Sequence, residues 1–267
     1  MRTTLKVMLA QFKISVIGGL QYRLHAGLQL IGLLVESVIY LVVWTTIAVA
    51  QGGEVGGYTA GEFAGYFIAW TLVRNITTGW SPWGIEWRIR RGDFNALLLR
   101  PMHPYFFDMG EMLGDKMTAG VTLLPTIALL VWAFRPEFTI VPWALVALLP
   151  VLALAFLLRY TLMYALAITA FWTTRVTALF ELWFALEFFT SGRIAPLTVL
   201  PDWAQQIANV LPFQWMFYFP LELLLGRRTP QEALTGVLIQ VVWLIATVIV
   251  FRLVWRAAVR RYAAVGG

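Results

Sequence analysis

WSPWGIEWRIRRGDFNALLLRPMHP, residues Trp80–Pro104, is the stretch from which the rest of the chain can be read. It carries Arg88, Arg90, Arg91 and Arg100 against Glu86 and Asp93, and apolar runs long enough to cross a bilayer flank it on both sides. Lys and Arg are retained on the cytoplasmic side of a membrane, so a basic segment between two spans is expected to face the cytoplasm. This orients every other segment. It also offers a place where a soluble partner can push on membrane-embedded helices.

The composition agrees. Of 267 residues, 60% are hydrophobic and 13% charged, with a mean hydropathy of +0.75. Soluble domains carry about 25% charged residues. Continuous apolar runs imply helices; barrel strands would alternate. The formal charge of +6 does not point to nucleic acid, because the basic residues sit at span ends, where they meet cytoplasm and anionic headgroups. With no cysteine there is neither a disulfide nor a thiolate metal site, and His25 and His103 alone cannot make a metal cluster. The N-terminal MRTTLKVMLAQFK shows no cleavable signal with a small-residue exit site, so the first span is expected to be retained.

Taken in order, residues 1–25 read as an interfacial helix. Arg2, Lys6 and Lys13 fall on one side, with Leu5, Leu9, Phe12 and Val16 as an adjoining apolar stripe. It is either a basic anchor or a mechanical elbow. Leu28–Ala50 is the first span and contains Glu36; the loop Gln51–Gly57 has no basic residue, as suits the outer side. Thr59 to Trp80 returns inward with Arg74, and Gly61 and Gly65 stand at a spacing that suits close packing. After the basic loop, Tyr105–Phe134 crosses outward with Pro125 inside it, and its start is amphipathic. Gly110, Gly114 and Lys116 look like a fragment of a phosphate loop, but the full pattern is not met and no strand precedes it. Pro142–Trp172 comes back with Pro150 and Arg159, and the loop Thr173–Arg175 is inside. Val176–Thr190, with Glu181 and Glu187, is short for a crossing.

Residues 191–228 are apolar but broken by Pro196, Pro201, Pro212 and Pro220, a density that interrupts helices. Irregular backbone at membrane depth survives only inside protein or beside water. The stretch therefore reads as short re-entrant helices in the outer leaflet, with Asp202 as a candidate cap. Ala233–Val254 crosses inward and ends in Arg252, Arg256, Arg260 and Arg261. The expected fold is a single all-α membrane domain of six transmembrane helices with both termini cytoplasmic. Arg193, Arg227 and Arg228 run against the charge asymmetry. Trp80, Trp83, Trp172 and Trp255 are expected at the inner belt and Trp44, Trp132 and Trp143 at the outer one.

Glu36, Arg74, Arg159, Glu181 and Glu187 fall inside expected spans. A charge at the bilayer centre costs at least ~2.5–3.5 kcal/mol, so these residues face the bundle interior. They are either the lining of a path or internal ion pairs, such as an acidic residue holding Arg159. Phe184, Phe188, Phe189, Phe213, Phe217, Tyr218 and Phe219 similarly read as an apolar portal or as packing.

Two stretches resemble the ABC-2-type permeases of ATP-binding-cassette exporters. Arg90–Pro104 is similar to the cytoplasmic loop of a subgroup found beside drug- or antibiotic-resistance ATPases. Ser191–Gly226 is similar to the family's re-entrant outer segment. The resemblance implies a cytoplasmic coupling helix within residues 84–104, with Glu86, Trp87, Arg88, Arg90, Arg91, Asp93 and Arg100 as ATPase-coupling residues. It implies an outer gate built from Pro196, Pro201, Trp203, Pro212 and Phe213. The expected partners are a second permease subunit, identical or a diverged sibling, two nucleotide-binding ATPase subunits and membrane lipid, with no nucleic acid. ATP and Mg would bind in the partner ATPase and no cofactor in this chain. The expected activity is export of a lipophilic or amphipathic solute across the cell inner (plasma) membrane. The alternatives are a permease for a lipid-linked glycan or other envelope component, an ion-coupled secondary transporter and an integral membrane enzyme.

Overall fold

Helix-start signals are distributed along the chain much as the spans require. Thr59 and Glu62 form a reciprocal capping box, and Pro104, Pro142 and Pro230 stand at the first helical position, where a missing N–H costs nothing. The computed structural model describes residues 2–21, 23–78, 83–100, 102–173 and 176–261. The belt residue Trp80, the side chain of Trp83, the loop residue Arg175 and residues 262–267 lie outside the described residues.

The order begins with α1 (Arg2–Gln21), α2 (Arg23–Ala50) and a small hairpin of β1 (Glu54–Val55) and β2 (Tyr58–Thr59). It continues with α3 (Ala60–Thr77), α4 (Trp83–Arg91), α5 (Phe94–Leu98), α6 (Pro104–Phe134) and α7 (Pro142–Ile168). Then follow α8 (Thr177–Thr190), a broken stretch holding α9 (Asp202–Val210), α10 (Phe213–Met216) and α11 (Tyr218–Leu224), and finally α12 (Pro230–Arg261). The expected coupling helix is two short helices, α4 and α5, and Pro104 already belongs to α6.

Pro104–Phe134, Pro142–Phe171 and Pro230–Arg261 are long and apolar enough to cross a membrane, and Leu34–Ala50 is a shorter apolar stretch. On α12 the exposed residues Leu234, Leu238, Val242, Ile245, Ile249 and Leu253 recur every three or four positions. A continuous greasy stripe of that length is not left facing water. The chain is an all-α membrane-embedded protein.

Two ends can be distinguished. At one, the hairpin, residues 135–141 and the turn after α11 meet. The Glu137 amide donates to the Gly61 carbonyl at 3.1 Å, Thr59 Oγ1 to Glu137 at 2.9 Å, and Arg227 to Glu62 and to the Gly57 carbonyl, both at 2.7 Å. Gly61 and Gly65 thus make room for the 135–141 segment rather than for another helix. At the other end lie α4, α5, the start of α6 and the ends of α7 and α12, with Phe94 between Phe171 and Trp255 at 5.3 and 6.3 Å.

α8 has 14 residues, about 21 Å of rise against ~30 Å of hydrocarbon. Irregular chain continues after Ser191, and α2 serves as a ruler for it. Arg193 meets Glu36, the Trp44 indole donates to the Ile194 carbonyl at 2.6 Å, and Thr198 reaches the Gly56 carbonyl at 3.2 Å. Each contact lies nearer the hairpin than the one before. Ser191, Ala195 and Leu197 are buried, and Tyr66 Oη donates to the Gly192 carbonyl at 2.7 Å, so protein groups satisfy the irregular backbone. Asp202, expected as a cap, is instead the first residue of α9. Pro201 takes the cap position, and no side-chain cap bond forms there.

α1 lies along the polar first half of α6. An added Cβ at Gly110 would meet the Met8 carbonyl at 2.5 Å, and one at Gly114 the Phe12 carbonyl at 2.6 Å. The glycines that resembled a phosphate loop are therefore a seat for α1. Its packing face is Met8, Phe12, Ser15 and Gly19, which leaves Leu5 and Leu9, half of the expected apolar stripe, turned outward.

Gly192 has φ +82°, and an added Cβ would stand 2.6 Å from Tyr66 Oη. Gly192→Ala is expected to destabilise the protein by at least about 1–2 kcal/mol through left-handed backbone alone. Gly18→Ala, with nothing within 4 Å, should be neutral or slightly stabilising. Thermal unfolding of the two variants in mild detergent compares them directly.

Candidate functional site

The basic stretch folds so that α4 has two unlike faces. One side turns toward the bundle: Ile85 is fully buried and Glu86 nearly so. Glu86 Oε2 accepts from the Val176 amide, just before α8, at 3.5 Å. Arg88 donates to Asp108 at 2.6 Å, and the second Asp108 oxygen accepts from Tyr164 Oη on α7 at 3.0 Å. The Asp108 side chain is wholly buried, so its charge depends on these partners. α4 is thus bonded to α6 and α8 and, through Asp108, to α7. Phe94 of α5, also fully buried, adds α12.

The other face is bare. Trp87 is 53% exposed, and the Arg91 guanidinium stacks on its ring at 3.8 Å. Arg90 is exposed and reaches back toward Glu86 at 3.5 Å. Asp93 and Arg100 are exposed as well, Arg100 lying over Phe107 at 4.7 Å. The seven residues expected to couple therefore divide: Glu86 and Arg88 anchor the platform, whereas Trp87, Arg90, Arg91, Asp93 and Arg100 present it.

A second polar constellation lies deeper. Glu36 of α2 accepts from Arg74 of α3 at 2.5 Å and from Arg193 Nε at 3.0 Å. Both guanidiniums lie near the Trp70 ring, at 4.9 and 5.9 Å, and Arg193 also faces Phe188 at 5.2 Å. Arg159 of α7 and Glu187 of α8 form a buried bidentate pair at 3.0–3.2 Å. Trp183 Nε1 adds a bond to Glu187 at 2.9 Å. Ion pairing thus accounts for four of the five charges expected in the spans, as fits the cost of burying them singly. Glu181 is exposed and is not brought to the network. Arg193, read from sequence as a misplaced outer charge, is the central residue that sequence missed.

The expected outer-gate residues separate. Pro196, Pro212 and Phe213 are buried, and Phe213 packs on Trp183 at 4.7 Å. Pro201 is exposed, and Trp203 is 66% exposed. Of the aromatic portal, Phe213, Phe217, Tyr218 and Phe219 are core, whereas Phe189 faces outward.

A greasy helical exterior, buried paired charges and a basic platform hydrogen-bonded to several long helices define a membrane-embedded protein of the transporter type. A family model described as ABC-2 family transporter protein matches residues 33–266. The chain belongs to that family and is a membrane component of an ABC transporter; membership implies association with an ATP-binding subunit. No curated protein and no solved structure matches it.

His103 caps α6, its Nδ1 accepting the Tyr105 amide at 3.2 Å, with its ring 4.0 Å from that of Trp255. Burial pushes the imidazole from 6.5 down to about 4. A neutral ring can accept that bond; a protonated one cannot. The stabilisation is therefore present above pH 6.5 and is lost as pH falls toward 4. His103→Asn keeps an acceptor at the cap but does not titrate. Its unfolding temperature is expected to fall less between pH 7.5 and pH 5 than that of the wild type.

Proposed function

We propose that this chain is the transmembrane subunit of an ATP-driven exporter and that α4 and α5 are the surface on which its ATPase docks. In this reading the chain crosses the membrane six times, through α2, α3, α6, α7, α8 with its extended continuation, and α12. The platform end and both termini face the cytoplasm, and α1 is the elbow. Two such subunits pair over two ATPases, and an amphipathic solute leaves at the hairpin end.

The observation that carries the proposal is the division of α4. A lever needs one face gripped by the helices it moves and one left free for what moves it. The gripped face is Ile85, Glu86 and Arg88; the free face is Trp87, Arg90 and Arg91. An exposed aromatic with a stacked arginine is the type of group that dominates binding energy at protein interfaces, and the surplus of arginine suits an acidic groove.

Charge reversal of the free face, Arg90→Glu with Arg91→Glu, is expected to weaken ATPase association about tenfold or more, ~1.4 kcal/mol, while the permease folds normally. Arg88→Ala should leave docking contacts in place but loosen the platform, so that the ATPase binds without being stimulated. Co-purification and ATPase assays on the two variants read these outcomes. Undiminished association with the double glutamate variant would overturn the docking assignment. Because the chain has no cysteine, a single cysteine at residue 90 also tests orientation: an impermeant thiol reagent outside intact cells is expected not to reach it.

A further inference from the structure

The interior charges do not balance. Arg74 and Arg193 share the one carboxylate of Glu36, and Arg159 is matched by Glu187. Lys116 of α6 projects into the same region. Its Nζ donates to the backbone carbonyl of Asn75, adjacent to Arg74, and it lies within Coulombic reach of both Arg74 and Arg159. No carboxylate is within ion-pair distance of Lys116 among the described residues; the nearest charge of opposite sign acting on it is Asp115, exposed and bonded to Ser15 of α1. Three guanidiniums and the Lys116 amine thus stand against Glu36 and Glu187, with Asp115 at the edge. Uncompensated charge is expensive in a medium of low polarity, so such a cluster attracts an anion.

The geometry leaves it open on one side. The side chains of Arg74, Glu36 and Arg193 keep 23–24% of their surface exposed, against 3% for Arg159 in its closed pair. Trp70 and Phe188 flank the two guanidiniums, and the buried Trp70 Nε1 has no acceptor among the described residues. A planar guanidinium pair beside aromatic rings is well suited to a phosphate or carboxylate carried on an apolar body.

We propose that Arg74, Arg193 and Lys116 form a cationic seat for the anionic head of the transported amphiphile, with Glu36 holding the two arginines in place until it arrives. The seat names a substrate class for the exporter reading and rests on that reading, but binding needs no ATPase, so the two can fail separately.

The test uses the full-length permease in a neutral maltoside detergent, with thermal unfolding and equilibrium titration as readouts. The probes are decyl phosphate, inorganic phosphate, decyltrimethylammonium and decyl maltoside. Decyl phosphate is expected to raise the unfolding temperature and to bind at least about tenfold more tightly than decyltrimethylammonium, a difference of ~1.4 kcal/mol. Inorganic phosphate should bind far more weakly, which makes the site one for amphiphiles rather than for the free ion; equal binding of the two would overturn that part. Lys116→Met removes a cation that has no carboxylate partner, so it is expected to unfold no earlier than wild type without ligand, yet to lose most of the preference for decyl phosphate. Arg193→Gln should act in the same direction, and Glu36→Gln should keep or raise the anion preference. Equal binding of anionic and cationic probes, or an unchanged preference in both Lys116→Met and Arg193→Gln, would overturn the proposal. Anion preference in a permease that stimulates no ATPase would support the seat and remove the exporter reading instead.

Discussion

Glu36 is one carboxylate answered by two guanidiniums, and this sharing ties the chain that follows α8 to α2 and α3. Arg74 arrives on a regular helix, Arg193 on irregular backbone three residues past the end of α8. Held there, it starts a run of contacts that continues through Ile194 and Thr198 to the hairpin. Backbone that would be untenable in lipid is carried across by side chains of its neighbours, and Gly192 is required because its turn and the nearby Tyr66 leave no room for a Cβ.

The two ends of the bundle are held by different chemistry. At the hairpin end the contacts are directional: Arg227 with Glu62 and the Gly57 carbonyl, Thr59 with Glu137, Tyr58 with Glu222. At the platform end the bonds of Glu86 and Arg88 are joined by a cluster of tilted and edge-on rings, Phe94, His103, Phe171, Phe251 and Trp255. Hydrogen-bonded ladders lose their bonds when displaced, whereas aromatic faces tolerate sliding because their attraction is broad in angle and distance.

The fold was legible where physics acts on single segments. Hydropathy located the long helices, and the basic stretch marked the platform. What escaped depended on pairing between distant residues. Nothing in Gly110 and Gly114 says that α1 will lie on them. Nothing in the order of Glu86, Trp87, Arg88 and Arg90 says which turn inward until Asp108 and Val176 are in place. Arg193, Arg227 and Arg228 looked like violations of charge asymmetry because that rule counts free charges; each has an acidic partner within the protein. The Arg159–Glu187 pair was open to anticipation, since a buried arginine in a span must find a carboxylate. The identity of that carboxylate was not.

These features join in one mechanical argument. The platform is attached rigidly, through Glu86 and the Arg88–Asp108–Tyr164 chain, to α6, α7 and α8. A displacement of α4 is therefore delivered to all three at once. α6 carries Lys116, α7 carries Arg159, and α8 carries Glu187 and leads directly into Arg193. The same three helices thus hold most of the interior charge network, while Glu36 and Arg74 stand on α2 and α3, which lack such a bond to the platform among the described residues. On the docking reading proposed above, motion at the platform would move one part of the cationic cluster relative to the other. Charge separations change, and with them the affinity for anything anionic held between. A transporter needs its two states to bind cargo unequally, and in the proposed seat relative displacement of like charges would supply that inequality without a dedicated hinge.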